Sequence, residues 1–481
     1  MSSKSMLSLS LNQKVRATFG NLAFDKRRLM MSQIHQHGIP SYVAEWILDT
    51  IVPGEGPLTP DEQAKLKEWM DKYVPGPNDQ RVIKYRLSQG ERVRLLTPVE
   101  VEVDLTRVGP DKHFAKMPLL NIREANIHSG LLEKYPELLR QGMWGVVELT
   151  FQRGGGDSFE DNITIIENFR PMQATVDLNL FKEIRREFTL EEWRALLLIS
   201  MGYLPDAFTE EQKTLLLARL LPLVQKNLHL MELAPKGTGK SYIYENLSPR
   251  IRLVSGGNVS PAVLFVNNRT HQWGLLARFA VVVLDEVHTL RFDSPAEVMG
   301  GLKGYLANGR LTRGGLNEAS SDCSFVMLAN IQLNSNQLPV NEVFVGTLPP
   351  FLREAAFLDR LRGIIPGWKI PKLQTTSLIN VNSSLALGLK SDFFGEVLYA
   401  LRNETTCDQY CAANLTADRL YKRNVDSVQK LASAFMKLQF PHGEVSDEEF
   451  RCYCVEPAIE LREIVWDQLR RIDPEYLKYD A

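Results

Sequence analysis

Cysteine is scarce in this chain, five in 481 residues, and no two stand at CxxC spacing. Cys407 and Cys411 lie four apart, Cys452 and Cys454 two apart. Neither pair has the usual zinc-ligand spacing, so buried thiols are expected rather than a metal site, and no disulfide framework is expected either. Long apolar runs are missing too. The longest, Phe279 to Leu284, has the length of a buried strand and falls far short of the ~18 residues of a membrane span. The first residues form no apolar signal region, because Ser, Lys and Asn interrupt their leucines. These absences predict a cytoplasmic chain with no membrane partner. Charge of one sign is not in excess: the net value is −2, so any nucleic-acid contact must come from locally concentrated basic residues. What is present is ordinary globular composition, 44% apolar and 24% charged, in a chain long enough for about two to four domains.

The first 28 residues hold Lys4, Lys14, Arg16, Lys26, Arg27 and Arg28 against a single acid, Asp25. They read either as a basic arm touching phosphate or as a solvated terminus. Residues 1–80 read as a helical segment. Thr59-Pro60-Asp61-Glu62 is a helix start with a capping Thr, and Val74-Pro75-Gly76-Pro77 is a break and candidate linker. Over residues 81–178 the period changes to two. Val99, Val101, Val103 and Leu105 alternate with acids, Met143 to Phe151 is a second apolar strand, and Ile163 and Ile165 continue beyond an Arg153–Asp157 turn. A β-rich domain fits this region, and a small barrel of the OB kind is the expected form. Capping boxes at Thr189/Glu192 and Thr209/Gln212 then reopen helix, and residues 179–372 alternate strand and helix as a parallel α/β sheet does. Residues 373–481 read as a helical lid and C-terminal helices, with a further cap at Ser446/Glu449.

Within that α/β region, Ala234-Pro235-Lys236-Gly237-Thr238-Gly239-Lys240-Ser241 follows an apolar strand and opens a helix, the context of a P-loop. Gly237 and Gly239 let backbone N–H groups approach phosphate. Lys240 would reach the β- and γ-phosphates of ATP, and the Ser241 hydroxyl would ligate Mg²⁺. Ala234 stands where the pattern has its first glycine. The strand Val281–Leu284 ends in Asp285 and Glu286, two carboxylates that need a cation or water to face. Asp285 is expected to hold Mg²⁺ through water and Glu286 to polarise the attacking water. A third strand, Ser324 to Ala329, ends in Asn330, a candidate sensor 1. Arg360, with Arg362 as fallback, is a candidate arginine finger for a neighbouring subunit; the other reading is a surface ion pair with Asp359.

These residues resemble the BrxL family, Lon-like AAA+ proteins of bacterial BREX phage-defence systems. The resemblance rests on Met231 to Tyr242, Leu253 to Gly257, Tyr305 to Gly314, Phe357 to Trp368 and Phe440 to Glu444, in order from about residue 20 onwards. It implies an AAA+ P-loop ATPase core with a helical lid, assembled as a hexamer or stacked double ring, related in design to MCM-type helicases. It also implies DNA as a partner, duplex above all, with other phage-defence proteins as further candidates. Pore contacts would come from Asn308 to Gly315, with Arg310 and Arg313; the same stretch also reads as a plain hairpin with solvated charges. Arg423 and Lys430 are seven apart, share a helix face, and are both candidates for sensor 2. Longer members continue into a Lon-like peptidase domain, whereas this chain ends at Ala481, so peptidase activity is not expected of it. The competing reading is a protein unfoldase serving a separate protease.

Overall fold

The computed structural model describes residues 3–34, 38–76, 78–104, 113–153, 163–172, 174–269, 272–312, 318–415 and 422–479. The chain forms two compact units, Met1–Lys26 with Thr175–Ala481, and Arg27–Ala174.

The N-terminal helix Ser3–Phe19 turns Leu11, Val15 and Phe19 to one buried face, as a four-residue spacing requires. The Phe19 ring meets those of Phe181 and Phe188. Strand β1 (Ala23–Asp25) then pairs antiparallel with Leu387–Leu389. The first 26 residues therefore belong with the later part of the chain, not with the helices that follow them.

In the second unit, strands β2 (Val93–Val103), β3 (His113–Met117), β4 (Ile122–Ile127), β5 (Met143–Gln152) and β6 (Ile163–Pro171) close a barrel in the order β2-β3-β4-β6-β5. Only the β4–β6 contact is parallel. The expected alternation holds at Val99 and Val101, which are buried in the barrel core while Glu102 stays half-exposed and pairs with Lys116 across the β2–β3 ladder, but it fails at Val103, which ends the strand 54% exposed. Leu105 and most of the Arg153–Asp157 turn lie outside the described residues. The helix break after Tyr73 is not a domain boundary. The next helix, Gln80–Ser88, buries Ile83 and Leu87 in the barrel core, so it is held to the same unit.

The first unit is built on β7 (Leu230–Ala234), β8 (Ile251–Ser255), β9 (Asn258–Val259), β10 (Val281–Asp285), β11 (Arg291–Phe292), β12 (Arg310–Thr312), β13 (Glu318–Ser320), β14 (Ser324–Asn330), β15 (Gly363–Pro366) and β16 (Leu387–Leu389). Five of them form one all-parallel sheet in the order β15-β7-β14-β10-β8. Val281 to Leu284 are fully buried, as a strand covered on both faces demands. The chain order reverses around β7, so the carboxyl end of that strand opens on a crevice where α/β sheets place ligands. Beyond β15 the chain is mainly helical, including Ser391–Leu401, Lys422–Gln439 and Glu456–Ile472. All four expected capping boxes are formed, at Thr59, Thr189, Thr209 and Ser446.

Candidate nucleotide site

The carboxyl ends of β7, β10 and β14 bring the glycine loop, the paired acids and Asn330 together. Lys240 is 8% exposed and donates from Nζ to Asn330 Oδ1 at 2.8 Å. Ser241 Oγ donates to Asp285 Oδ2 at 2.7 Å. Residues far apart in sequence thus converge in two direct contacts. Gly237 and Gly239 stand at φ +87° and +72°, backbone that favours glycine. Glu286 stands at φ +47°, unusual for a side chain of its size. Its own N–H is bound to Asp285 Oδ1 at 2.8 Å and its carbonyl accepts from Thr289 N at 2.7 Å, which holds the strained turn in place. Burial, and then the Asp285 charge, raise the Glu245 carboxyl above its ordinary pKa.

A hydroxyl and a carboxylate in direct contact beside a lysine are the donor set that suits Mg²⁺ when phosphate oxygens and water complete its shell. Pro235 and Lys236 take no part in those contacts. The Pro235 carbonyl accepts from Thr238 Oγ1 at 3.3 Å, closing the loop on itself, and Lys236 is exposed.

Three features of the site were not anticipated from the sequence. Arg219, fully buried, donates to both carboxylate oxygens of Glu232, at 2.6 and 3.1 Å, to the Tyr203 hydroxyl at 3.2 Å, and to the Thr238 carbonyl inside the loop at 3.1 Å. The Leu373 N–H, on the segment after β15, donates to the Gly237 carbonyl at 2.8 Å. His288 Nε2 lies 3.5 Å from Asn330 Nδ2. The first left a signal: Glu232 is a charge inside five consecutive buried residues, and such a charge requires a buried partner.

The remaining predicted residues lie elsewhere. Arg360 follows the short helix Ala355–Leu358 and precedes β15, at the amino end of the sheet. The neighbouring Asp359 is not its ion-pair partner: Asp359 is buried and pairs with Arg462 at 2.7 Å and with Arg423. Arg360 instead donates to the Ala356 carbonyl. The two sensor 2 candidates are not brought to the glycine loop of their own chain. Arg423 is engaged by Asp359, just before β15. Lys430 lines a cleft of about 510 Å³ with Asn227, Asp322, Arg362 and Arg402, whose neighbours Leu230, Ser324 and Gly363 begin β7, β14 and β15. Both thus lie at the amino ends of the strands, opposite the glycine loop. Burial, and then Arg362, push the Lys430 pKa down to about 8.

Two members of the supposed basic arm require correction. Lys26 is 3% exposed, with Nζ 3.2 Å from Ser391 Oγ. Arg28 is 2% exposed and held by Glu62 at 2.7 Å and by the Val52 carbonyl. Both are spent on internal partners and cannot be offered to phosphate; Arg27 is half-buried. Arg310 lies on the β12–β13 hairpin and pairs with Glu318 at 2.9 Å, both more than half exposed. Arg313 lies outside the described residues. Cys407, Cys411 and Cys454 are buried, and no helix among the described residues is long and apolar enough to cross a membrane.

Comparison with known proteins gives two family matches. The family described as "Lon-like protease BrxL-like, ATPase domain" matches residues 164–481, and "BREX system Lon protease-like protein BrxL N-terminal" matches residues 17–151. Among curated relatives, the Lon-like protease BrxL of Escherichia coli O9:H4 (strain HS) is 28% identical over 439 residues and that of Bacillus cereus (strain H3081.97) 29% over 442. Each match covers 90% of this chain but only 61% and 63% of the relatives' own lengths. Among solved structures, a full-length MCM homolog from Methanopyrus kandleri aligns over 85% of this chain and 90% of its own, with a TM-score of 0.41 at 14% identity.

Proposed function

The chain belongs to the BrxL family, and from that premise we propose that it is an ATP-hydrolysing AAA+ motor subunit that acts on DNA in bacterial phage defence. The observation that carries the ATPase reading is the double contact Lys240–Asn330 and Ser241–Asp285, which gathers the glycine loop, the acid pair and the third strand end at one crevice. ATP with Mg²⁺ is the cofactor this donor set suits. Ser241 and Asp285 would hold the metal, which supplies charge neutralisation on the phosphates. Lys240 binds phosphate oxygen. Glu286 accepts hydrogen bonding from the attacking water and draws off its proton, while Asn330 orients that water. Arg360, with Arg362 behind it, serves the site of a neighbouring copy, so activity belongs to a ring, a hexamer or a stacked pair of rings.

For the second unit, the closed five-stranded barrel with a single parallel contact supports the OB reading, a fold whose faces and loops often hold oligonucleotides. DNA contacts are assigned to this barrel and to the hairpin carrying Arg310, with Arg313 three residues further along the sequence. The unfoldase reading is weakened by Tyr305. It is fully buried with its hydroxyl on the Cys323 carbonyl at 2.6 Å, so it is not available to grip a polypeptide.

The test is ATP hydrolysis with and without duplex DNA, single-stranded DNA and an unfolded protein, with Lys240→Ala as blank. Stimulation by DNA alone is expected. Stimulation by the protein alone would replace this reading with the unfoldase.

A further inference from the structure

Arg219 and Glu232 form an ion pair with no exposed surface, 2.6 Å at its shorter contact, in the middle of an apolar core. Stability alone does not explain such a pair, since apolar residues of similar volume often serve a core as well or better. What the pair adds is a third contact. The Arg219 guanidinium, fixed by Glu232 on β7 and by the Tyr203 hydroxyl, also donates to the carbonyl of Thr238 in the glycine loop. In a trans peptide the carbonyl of one residue and the N–H of the next point in opposite directions, and no cis peptide occurs among the described residues. A Thr238 carbonyl tied inward therefore turns the Gly239 N–H away from the core. That N–H donates to no group among the described residues. The Gly237 carbonyl, tied to Leu373 N–H at 2.8 Å, turns the Thr238 N–H in the same manner. Gly239 is itself confined. A Cβ there would lie 2.5 Å from Leu373 Cδ1 and 3.3 Å from the Tyr203 hydroxyl, so Leu373 and Tyr203 pack directly against this position and leave no room for a side chain.

We propose that Arg219 is a positioning residue for the phosphate cradle, with Glu232 as the group that holds it in place. The pair keeps the Gly239 N–H facing the polyphosphate before nucleotide arrives, so the loop need not reorganise on binding. This rests on the reading of the site as a nucleotide site. Arg219 touches no reacting atom and acts only through the loop.

The experiment uses the full chain and measures ATP and ADP affinity with a fluorescent nucleotide analogue. In the paired variant Arg219→Met with Glu232→Leu, the core keeps its volume and loses both charges, while the Thr238 carbonyl loses its anchor. Losing one pre-aimed hydrogen bond to a charged group weakens binding roughly tenfold or more. The melting temperature without nucleotide should stay near that of the unsubstituted chain, and turnover at saturating ATP should change less than KM does. Arg219→Lys provides a milder second variant. One ammonium cannot reproduce all of the guanidinium's contacts, so amide hydrogen exchange across residues 236–241 of the free protein should quicken. Unchanged affinity in a folded paired variant, or unchanged exchange in Arg219→Lys, overturns the proposal. If the unsubstituted chain binds no ATP, or Lys240→Ala binds it as well, the nucleotide reading itself fails, an outcome separate from either.

Discussion

Asp359 offers a comparison in which one carboxylate holds two arginines in different surroundings. Its side chain is fully buried, Arg462 is 2% exposed, and Arg423 is 38% exposed. Removing one member of a buried ion pair costs roughly 3–5 kcal/mol, because the other charge is stranded. In Asp359→Asn, however, Arg462 keeps its bonds to the Asp359 and Leu361 carbonyls and to Asn424, and the new amide oxygen can still accept one hydrogen bond. That retention returns about 1 kcal/mol, leaving an expected loss of about 2–4 kcal/mol. Arg423→Ala removes only the solvent-screened partner and should cost less than about 1 kcal/mol. Urea unfolding followed by tryptophan fluorescence suits the measurement, since Trp466 is buried on the helix that carries Arg462. Asp359 directly precedes Arg360, so the same Asn variant should also lower ATP turnover. Equal losses from the two variants would refute the distinction between the buried and exposed halves of this network.

Glu286→Gln should retain ATP binding and lose turnover by at least about a hundredfold, and normal hydrolysis by that variant would remove Glu286 from the site. Arg360→Ala should reduce hydrolysis by about a thousandfold with nucleotide affinity unchanged in a binding assay; an unaltered rate moves the finger to Arg362. Lys430, held down to about 8 by burial and then by Arg362, binds fewer protons folded than unfolded between that pH and its ordinary range. Stability should therefore rise with pH across that window, with the full penalty present below it. Lys430→Met should remove the penalty, stabilising the protein by about 1–2 kcal/mol at pH 7 and flattening the pH profile of urea midpoints; an equally steep profile would contradict this. Deleting residues 2–25 should destabilise the first unit by at least about 5 kcal/mol, since Leu11, Val15, Phe19 and Phe24 all leave its core. An unshifted melting curve would return that segment to a loose terminus.

The parts of this molecule that the sequence announced are those whose physics is local. A capping box spans four residues, a buried strand five or six, and a glycine loop eight, so each can be recognised without knowing what lies across the core. The contact of Ser241 with Asp285 was within reach for a similar reason: in a parallel sheet every strand ends on the same side, and chemistry placed at two strand ends must meet there. At Val99 and Val101 the β pattern likewise gave the inward face by alternation alone, and it stopped doing so at Val103, where the strand leaves the core.

What escaped was partnership over distance. Lys26 and Arg28 looked like free charge because the groups that hold them are far off in sequence, yet Lys26 hydrogen-bonds Ser391 and Arg28 pairs with Glu62 in space. The same gap explains Arg423 and Lys430. Helical periodicity places them on one face of Lys422–Gln439 but does not say which edge of the sheet that helix lies against. It lies at the amino ends of β7, β14 and β15, where Arg423 reaches Asp359 and Lys430 faces Arg362. Neither can serve the glycine loop of its own chain, since that loop is at the carboxyl ends. The candidate finger at Arg360 stands at the same far edge. One chain thus carries the phosphate loop on one side of its sheet and Arg360, Arg423 and Lys430 on the other. Under the function proposed above, a site that needs both is completed by a second copy, so hydrolysis per chain should rise with protein concentration.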